Sequence, residues 1–144
     1  MAIFVPTSGS VTANPAILGD MTVNEKPCSG FKLGTGSKTG AFTSAALGVS
    51  GSKKLAFYAV GWKGTSDTQL TITVENGGSA NVTTFSLTGY EAISGNPPFK
   101  GLTPSDDTDY FIVELSDLTS SSTITFQTTN ASKGRAVVFG IQLF

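Results

Sequence analysis

The stretch Lys54-Leu55-Ala56-Phe57-Tyr58-Ala59-Val60-Gly61-Trp62-Lys63-Gly64 decides the fold. It holds the only Trp and one of three Tyr. It is short, dense in aromatic and aliphatic residues, and bounded by Gly, Lys and Ser. Helices run longer and avoid such glycine density, so the stretch reads as a β-strand. With a period of two, Leu55, Phe57, Ala59 and Gly61 share one face, and Ala56, Tyr58, Val60 and Trp62 share the other. Both faces are apolar. The strand is therefore expected at the centre of a sheet, covered on both sides or carrying Tyr58 and Trp62 at a site. Its counterpart, Arg135 to Phe144, has the same character and closes the chain.

Working outward, Leu70, Ile72 and Val74 alternate with Thr71 and Thr73, a half-buried strand pattern. Asn76-Gly77-Gly78 is a strong hairpin signal, because Asn-Gly supplies the positive φ of a type I′ turn. It predicts pairing of residues 69–75 with a strand around Val82 to Leu87. Phe111, Val113 and Leu115 point inward from a strand over Tyr110 to Leu115, and Thr123 to Thr129 buries Ile124 and Phe126. Towards the N-terminus, Phe31 to Leu33, a Gly/Ser turn and an arm through Phe42 towards Leu47 predict a strand–turn–strand unit. Residues 1–30 are the least legible. Ile3 to Val5 reads as an edge strand ended by Pro6, Ala13 to Ala16 as a turn, and Met21 to Val23 as a second short strand. Thr88 to Ser105 is the longest irregular segment, and long loops often carry function. With about eight strands, no helical period, no repeat and no linker, residues 1–144 are expected to form one all-β domain. Its expected architecture is an antiparallel, jelly-roll-like β-sandwich.

Composition narrows the chemistry. Charged residues make up 13% of the chain and the net charge is −1, so no basic field draws nucleic acid or anionic lipid. Histidine is absent, which removes Ser-His-Asp and Cys-His triads and the usual zinc sites. The single Cys28 precludes an internal disulfide. It reads as a half-buried thiol, with a crosslinking role as the alternative. No apolar run reaches the roughly 18 to 20 residues of a membrane span. Nor does Met1 to Pro6 resemble a signal peptide, so the protein is either cytosolic or had its signal removed before an expression start. Seventeen glycines form no phosphate-cradling loop. Paired carboxylates for glycoside hydrolysis remain formally open. Most acids fall in turns, however, and Glu114 alone lies mid-strand. Overall the protein is expected not to be an enzyme.

Two sets of residues remain as candidates. Trp62, Tyr58 and Tyr90, with Lys63 and Asn96, supply the vocabulary of sugar recognition. Flat aromatic rings stack on sugar C–H faces, and polar side chains meet the hydroxyls. The competing structural account places Tyr58 and Trp62 in the core with Lys63 lying over them. Asp106-Asp107-Thr108-Asp109 offers oxygen donors for a structural calcium ion, and Asp106, Asp107 and Asp109 are its candidate ligands. A cluster of Asx turns capping the next strand explains the same residues without a metal, since the alternating Asp/Asn-Gly-Glu pattern of calcium loops is missing. No other cofactor is expected.

The run Phe57 to Gly64, the Gly95-Asn96-Pro97-Pro98-Phe99 loop, Asp109-Tyr110-Phe111 and Lys133 to Ile141 together resemble β-sandwich accessory modules in surface proteins of gut Bacteroidales. The likeness covers about Phe31 to Phe144 and rests on core strands. It implies an exported, non-catalytic domain, extracellular or at the cell surface, that binds a glycan or polysaccharide or adheres to other domains of a larger surface protein. It supplies no ligand residues. The expected function is thus a carbohydrate-binding module, with a structural or adhesive module as the alternative.

Overall fold

A computed structural model of the protein describes residues 2–3, 10–11, 15–62, 68–93 and 100–144. Their strands are β1 (Ala2–Ile3), β2 (Ser10–Val11), β3 (Pro15–Val23), β4 (Lys26–Leu33), β5 (Ala41–Thr43), β6 (Gly51–Trp62), β7 (Gln69–Glu75), β8 (Ser79–Ala80), β9 (Thr84–Ser86), β10 (Gly89–Tyr90), β11 (Tyr110–Leu118), β12 (Thr123–Thr128) and β13 (Ala136–Leu143). They form two sheets. The larger runs β3-β4-β13-β6-β11-β8, with β1 added on β13 and β10 on β6. The smaller runs β2-β5-β12-β7-β9. This is the antiparallel, jelly-roll-like β-sandwich expected from the sequence, with one short parallel pair, β10 on β6. The strand number exceeds eight because two- and three-residue pairings such as β2, β8 and β10 are too short to show a period.

The core lies between the sheets. From the larger sheet come Leu55, Phe57, Ala59, Val113, Leu115, Val138, Ile141, Phe31 and Leu33; from the smaller come Phe42, Leu70, Ile72, Phe85, Ile124 and Phe126. Phe57 packs edge-on against Phe85 and Phe126 at ring-centroid distances of 5.5 and 5.4 Å. Phe31 stacks on Phe42 at 4.7 Å. Burying such side chains contributes about 1.5–3 kcal/mol each, so this layer supplies most of the driving force. As expected, β6 sits in the sheet interior between β13 and β11.

The N-terminal half departs from expectation. Val23-Asn24-Glu25-Lys26 closes a tight hairpin between β3 and β4, with φ of 49° and 65° at the central pair. No Asn-Gly announces it, so the sequence signal was weak. Of the turn expected at Ala13 to Ala16, Ala13 and Asn14 lie outside the described residues, while Pro15 and Ala16 open β3. Of the edge strand expected at Ile3 to Val5, Ile3 is in β1 and Phe4 and Val5 lie outside the described residues. The expected unit over Phe31 to Leu47 is not a hairpin. Phe31 belongs to β4 in the larger sheet and Phe42 to β5 in the smaller, so the intervening chain crosses between layers. A Gly/Ser segment suits either connection, and alternation alone cannot tell them apart.

The Asn76-Gly77-Gly78 turn has the predicted positive φ, and Thr71 pairs with Thr84 and Gln69 with Ser86. Between the two arms the chain visits the larger sheet, where Ala80 of β8 pairs with Leu115 of β11. The turn is pinned from below: Ser122 donates to the Gly77 carbonyl at 2.6 Å and Thr119 to the Asn76 carbonyl at 2.7 Å. A side chain at Gly78 would meet the Ser116 carbonyl at 2.8 Å, so glycine is needed there for clearance as well as for φ.

Candidate functional site

The outward face of the larger sheet carries the polar and aromatic chemistry. Because β6 alternates, Ala56, Tyr58, Val60 and Trp62 all point away from the inter-sheet core. In register across three strands, Phe139, Tyr58 and Tyr110 form one row. Tyr58 stacks on Phe139 at 5.3 Å with planes 6° apart, and Tyr110 leans on Tyr58 at 4.8 Å and 45°. The row continues to Gly30 on β4, where a Cβ would collide with the Val138 carbonyl and come within 2.8 Å of Phe139 Cβ. Gly140, with φ of +61°, makes the bulge of β13 beside the Tyr58 ring. Phe139 is buried, whereas Tyr58 and Tyr110 are half-buried and Ile112 next to them is 52% exposed.

One end of this face is covered. Met21, Val60, Ile93, Leu102, Val137 and Phe139 form a second apolar cluster with Trp62. The β3–β4 hairpin folds over to make it. Asn24 donates to the Leu102 carbonyl at 2.9 Å, and Leu102 donates back to the Thr22 carbonyl at 3.2 Å.

Trp62 is 4% exposed and belongs to that cluster, so its ring does not stand free at the rim. Of a core and a rim position for Trp62, the structure shows the packed one. Lys63, the cation expected over it, lies outside the described residues. Lys32 Nζ stands 4.6 Å from the ring centroid and Arg135 Cζ 4.8 Å. Burial, and then the neighbouring Arg135 charge, lower the Lys32 pKa.

The acidic run is spent on the tyrosines. Tyr58 donates its hydroxyl to Asp106 Oδ1 at 2.6 Å. That hydrogen bond first, then burial and the charges of Asp106 and Tyr110, push the Tyr58 pKa up to about 12. Tyr90 donates to Asp109 Oδ2, which also accepts from the Ser105 amide at 2.6 Å. Burial and this bond raise the Tyr90 pKa. Asp109 itself is fully buried, and its Oδ1 has no partner among the described residues. Asp107 is exposed, and its amide donates to Ser105 Oγ at 3.2 Å. The three carboxylates do not converge. No group of three or more His, Cys, Asp or Glu among the described residues is placed to hold a metal ion. The hydrogen bonds of Asp106, Asp107 and Asp109 lie within and around the turn that precedes β11.

Of the sugar-recognition candidates, Tyr58, Trp62 and Tyr90 share one face, while Lys63 and Asn96 lie outside the described residues. Sequence reasoning missed Lys32, Arg135 and Tyr110. Alternation does place Lys32 opposite Phe31 and Leu33, but only the registers Lys32–Val137 and Val137–Val60 bring it beside Trp62. No helix among the described residues is long and apolar enough to cross a membrane.

No protein-family model and no curated protein sequence matches this chain. Solved structures do. The mosquito-larvicidal Cry4Aa toxin from Bacillus thuringiensis is similar with a TM-score of 0.58 and 11% identity; the match covers 99% of this chain but only 22% of the toxin. The CBM22-1 xylan-binding domain of Paenibacillus barcinonensis Xyn10C is similar with a TM-score of 0.52 and 11% identity, over 98% of this chain and 90% of that domain. A CBM35 from Cellvibrio japonicus Abf62 is a looser likeness, with a TM-score of 0.44 and 16% identity over 100% and 91% of the two chains. At these identities the likeness is one of fold: an antiparallel β-sandwich of a shape also found in part of an insecticidal toxin and in a xylan-binding domain.

Proposed function

We propose that this chain is a non-catalytic carbohydrate-binding module of an exported, surface-associated bacterial protein. The observation that carries the reading is the half-buried Tyr58–Tyr110 pair, with Asp106 at the Tyr58 hydroxyl and exposed Ile112 alongside. A pyranose offers a flat C–H face to such rings and hydroxyls to such a carboxylate. Phe139 beneath Tyr58 and the Asp106 bond hold the ring in one orientation, so little side-chain entropy is lost on binding. A sandwich shape shared with a xylan-binding domain and a chain without histidine add support. In this reading the bacterial surface protein contributes neighbouring domains, and the module holds its glycan without cleaving it.

A structural or adhesive role is the second reading, favoured by a shallow cleft at the other end of the same sheet. Lys54, Glu114 and the 44% exposed Phe144 line it. An apolar ring flanked by both charges suits a protein segment.

A glycan array run with and without calcium tests the primary reading. Binding to a defined polysaccharide class, lost in Tyr110→Ala that still folds, is the expected result. A blank array on folded protein would favour the adhesive reading instead.

A further inference from the structure

Two cations, Lys32 and Arg135, share one indole on the outward face. Lys32 and Arg135 both lie within 5 Å of the Trp62 centroid, and among the described residues neither has an ion-pair partner. Arg135 Nε is buried and makes no hydrogen bond among the described residues. The two groups sit close enough for Arg135 to disfavour the charge on Lys32.

The chain as a whole has acids enough to pair its bases, ten against nine. An indole face attracts each cation by about 0.5–2 kcal/mol, but it does nothing to reduce their mutual repulsion. A buried guanidinium donor without an acceptor is costly in the same way as any unmade buried hydrogen bond. An anion placed between the two groups would answer both problems, and the planar fork of a guanidinium matches a carboxylate bidentately. The strand registers hold the pair in place: Lys32 is on β4, Arg135 directly precedes β13 and its carbonyl accepts from the Trp62 amide at 3.1 Å. The site lies on the same face as Tyr58, four residues and about 13 Å further along β6.

We infer that Lys32 and Arg135, braced on Trp62, form a subsite for the carboxylate of an acidic sugar, so that the preferred ligand is a uronic-acid-containing polysaccharide. The inference rests on the carbohydrate-binding reading and specifies its ligand class. Trp62 is the only tryptophan, so its fluorescence reports directly on the subsite.

The test titrates the whole protein with polygalacturonate, with the same polymer fully methyl-esterified, and with neutral xylan. Trp62 emission is followed alongside calorimetry. Polygalacturonate should bind at least tenfold more tightly than its ester, weaken with added salt, and change Trp62 emission. Arg135→Gln and Lys32→Met, the second keeping an apolar stem over the indole, should each reduce that affinity tenfold or more while leaving the circular dichroism unchanged. If either variant unfolds, the comparison of polymer with ester on the unaltered protein decides alone. Equal affinity for acid and ester, or binding of xylan only, would overturn the acidic-sugar subsite and leave the carbohydrate-binding reading standing. Failure to bind any of the three, together with a blank glycan array, would overturn both.

Discussion

The two faces of β6 obey different rules. Its inner face presents Leu55, Phe57 and Ala59 to a wholly apolar layer in which aromatic rings interlock across the sandwich. Its outer face presents Tyr58, Val60 and Trp62, and every ring there is tied to something polar or charged. Tyr58 bonds Asp106, Trp62 lies under Lys32 and Arg135, and neighbouring Tyr90 bonds the buried Asp109. The inner face needs only volume and shape. The outer face keeps polar groups that cost desolvation and would be simpler to replace with aliphatic residues if stability were the sole requirement. That contrast is the physical reason to look for function outside.

The sharpest break of the comparison is Phe57→Ala. Removing a fully buried ring that touches Phe85, Phe111 and Phe126 should cost about 3–5 kcal/mol in denaturant unfolding. A loss under about 1 kcal/mol would mean the inner layer is far looser than its geometry indicates. On the outer face, Gly30→Ala drives a methyl into the Val138 carbonyl and Phe139, and should cost about 1–3 kcal/mol. Asp109→Ala comes next. It strands the Tyr90 hydroxyl and the Ser105 amide but also removes an oxygen with no partner among the described residues, so about 1–3 kcal/mol is expected, with the loop before β11 losing amide-exchange protection.

Tyr110→Ala should cost only about 1 kcal/mol, because it removes one half-exposed aromatic contact. The same change should abolish glycan retention, and that split between stability and binding is what separates the two faces. A pH titration gives the smallest effect. Tyr58 holds its proton to about 12 against an ordinary 10, so the folded state binds that proton more tightly than the unfolded chain. The associated stabilisation is fully present below pH 10 and disappears as pH rises through 12. In Asp106→Asn, tyrosinate absorbance should show one tyrosine moving back towards the ordinary value; an unmoved titration would place the cause elsewhere.

How much of this was legible beforehand follows from the range of each interaction. Period-two alternation identified β7, β11 and β12 with their inward residues, and apolar density identified β6 and β13 as strands without saying which face of β6 looks inward. Tyr58 and Tyr90 were named as sugar-recognition candidates; the structure shows both half-buried and hydrogen-bonded, partners the sequence could not supply. The acids at 106–109 were ambiguous because a turn cap and a calcium loop draw on the same residue types. Their hydrogen bonds reach 48 residues back to Tyr58 and 19 to Tyr90, beyond what local sequence encodes.

Sequence by itself determined the all-β class, the central place of β6, the Asn-Gly turn and the exclusion of histidine chemistry, because composition and local alternation suffice for each. Tertiary structure alone decided that the segment after β4 changes sheets, that the β3–β4 hairpin joins the apolar cluster holding Trp62, and that Lys32 and Arg135 meet over its ring. Those outcomes depend on strand register between segments as far apart as 32 and 135, where cross-strand contact, not residue type, sets which side chains share a surface.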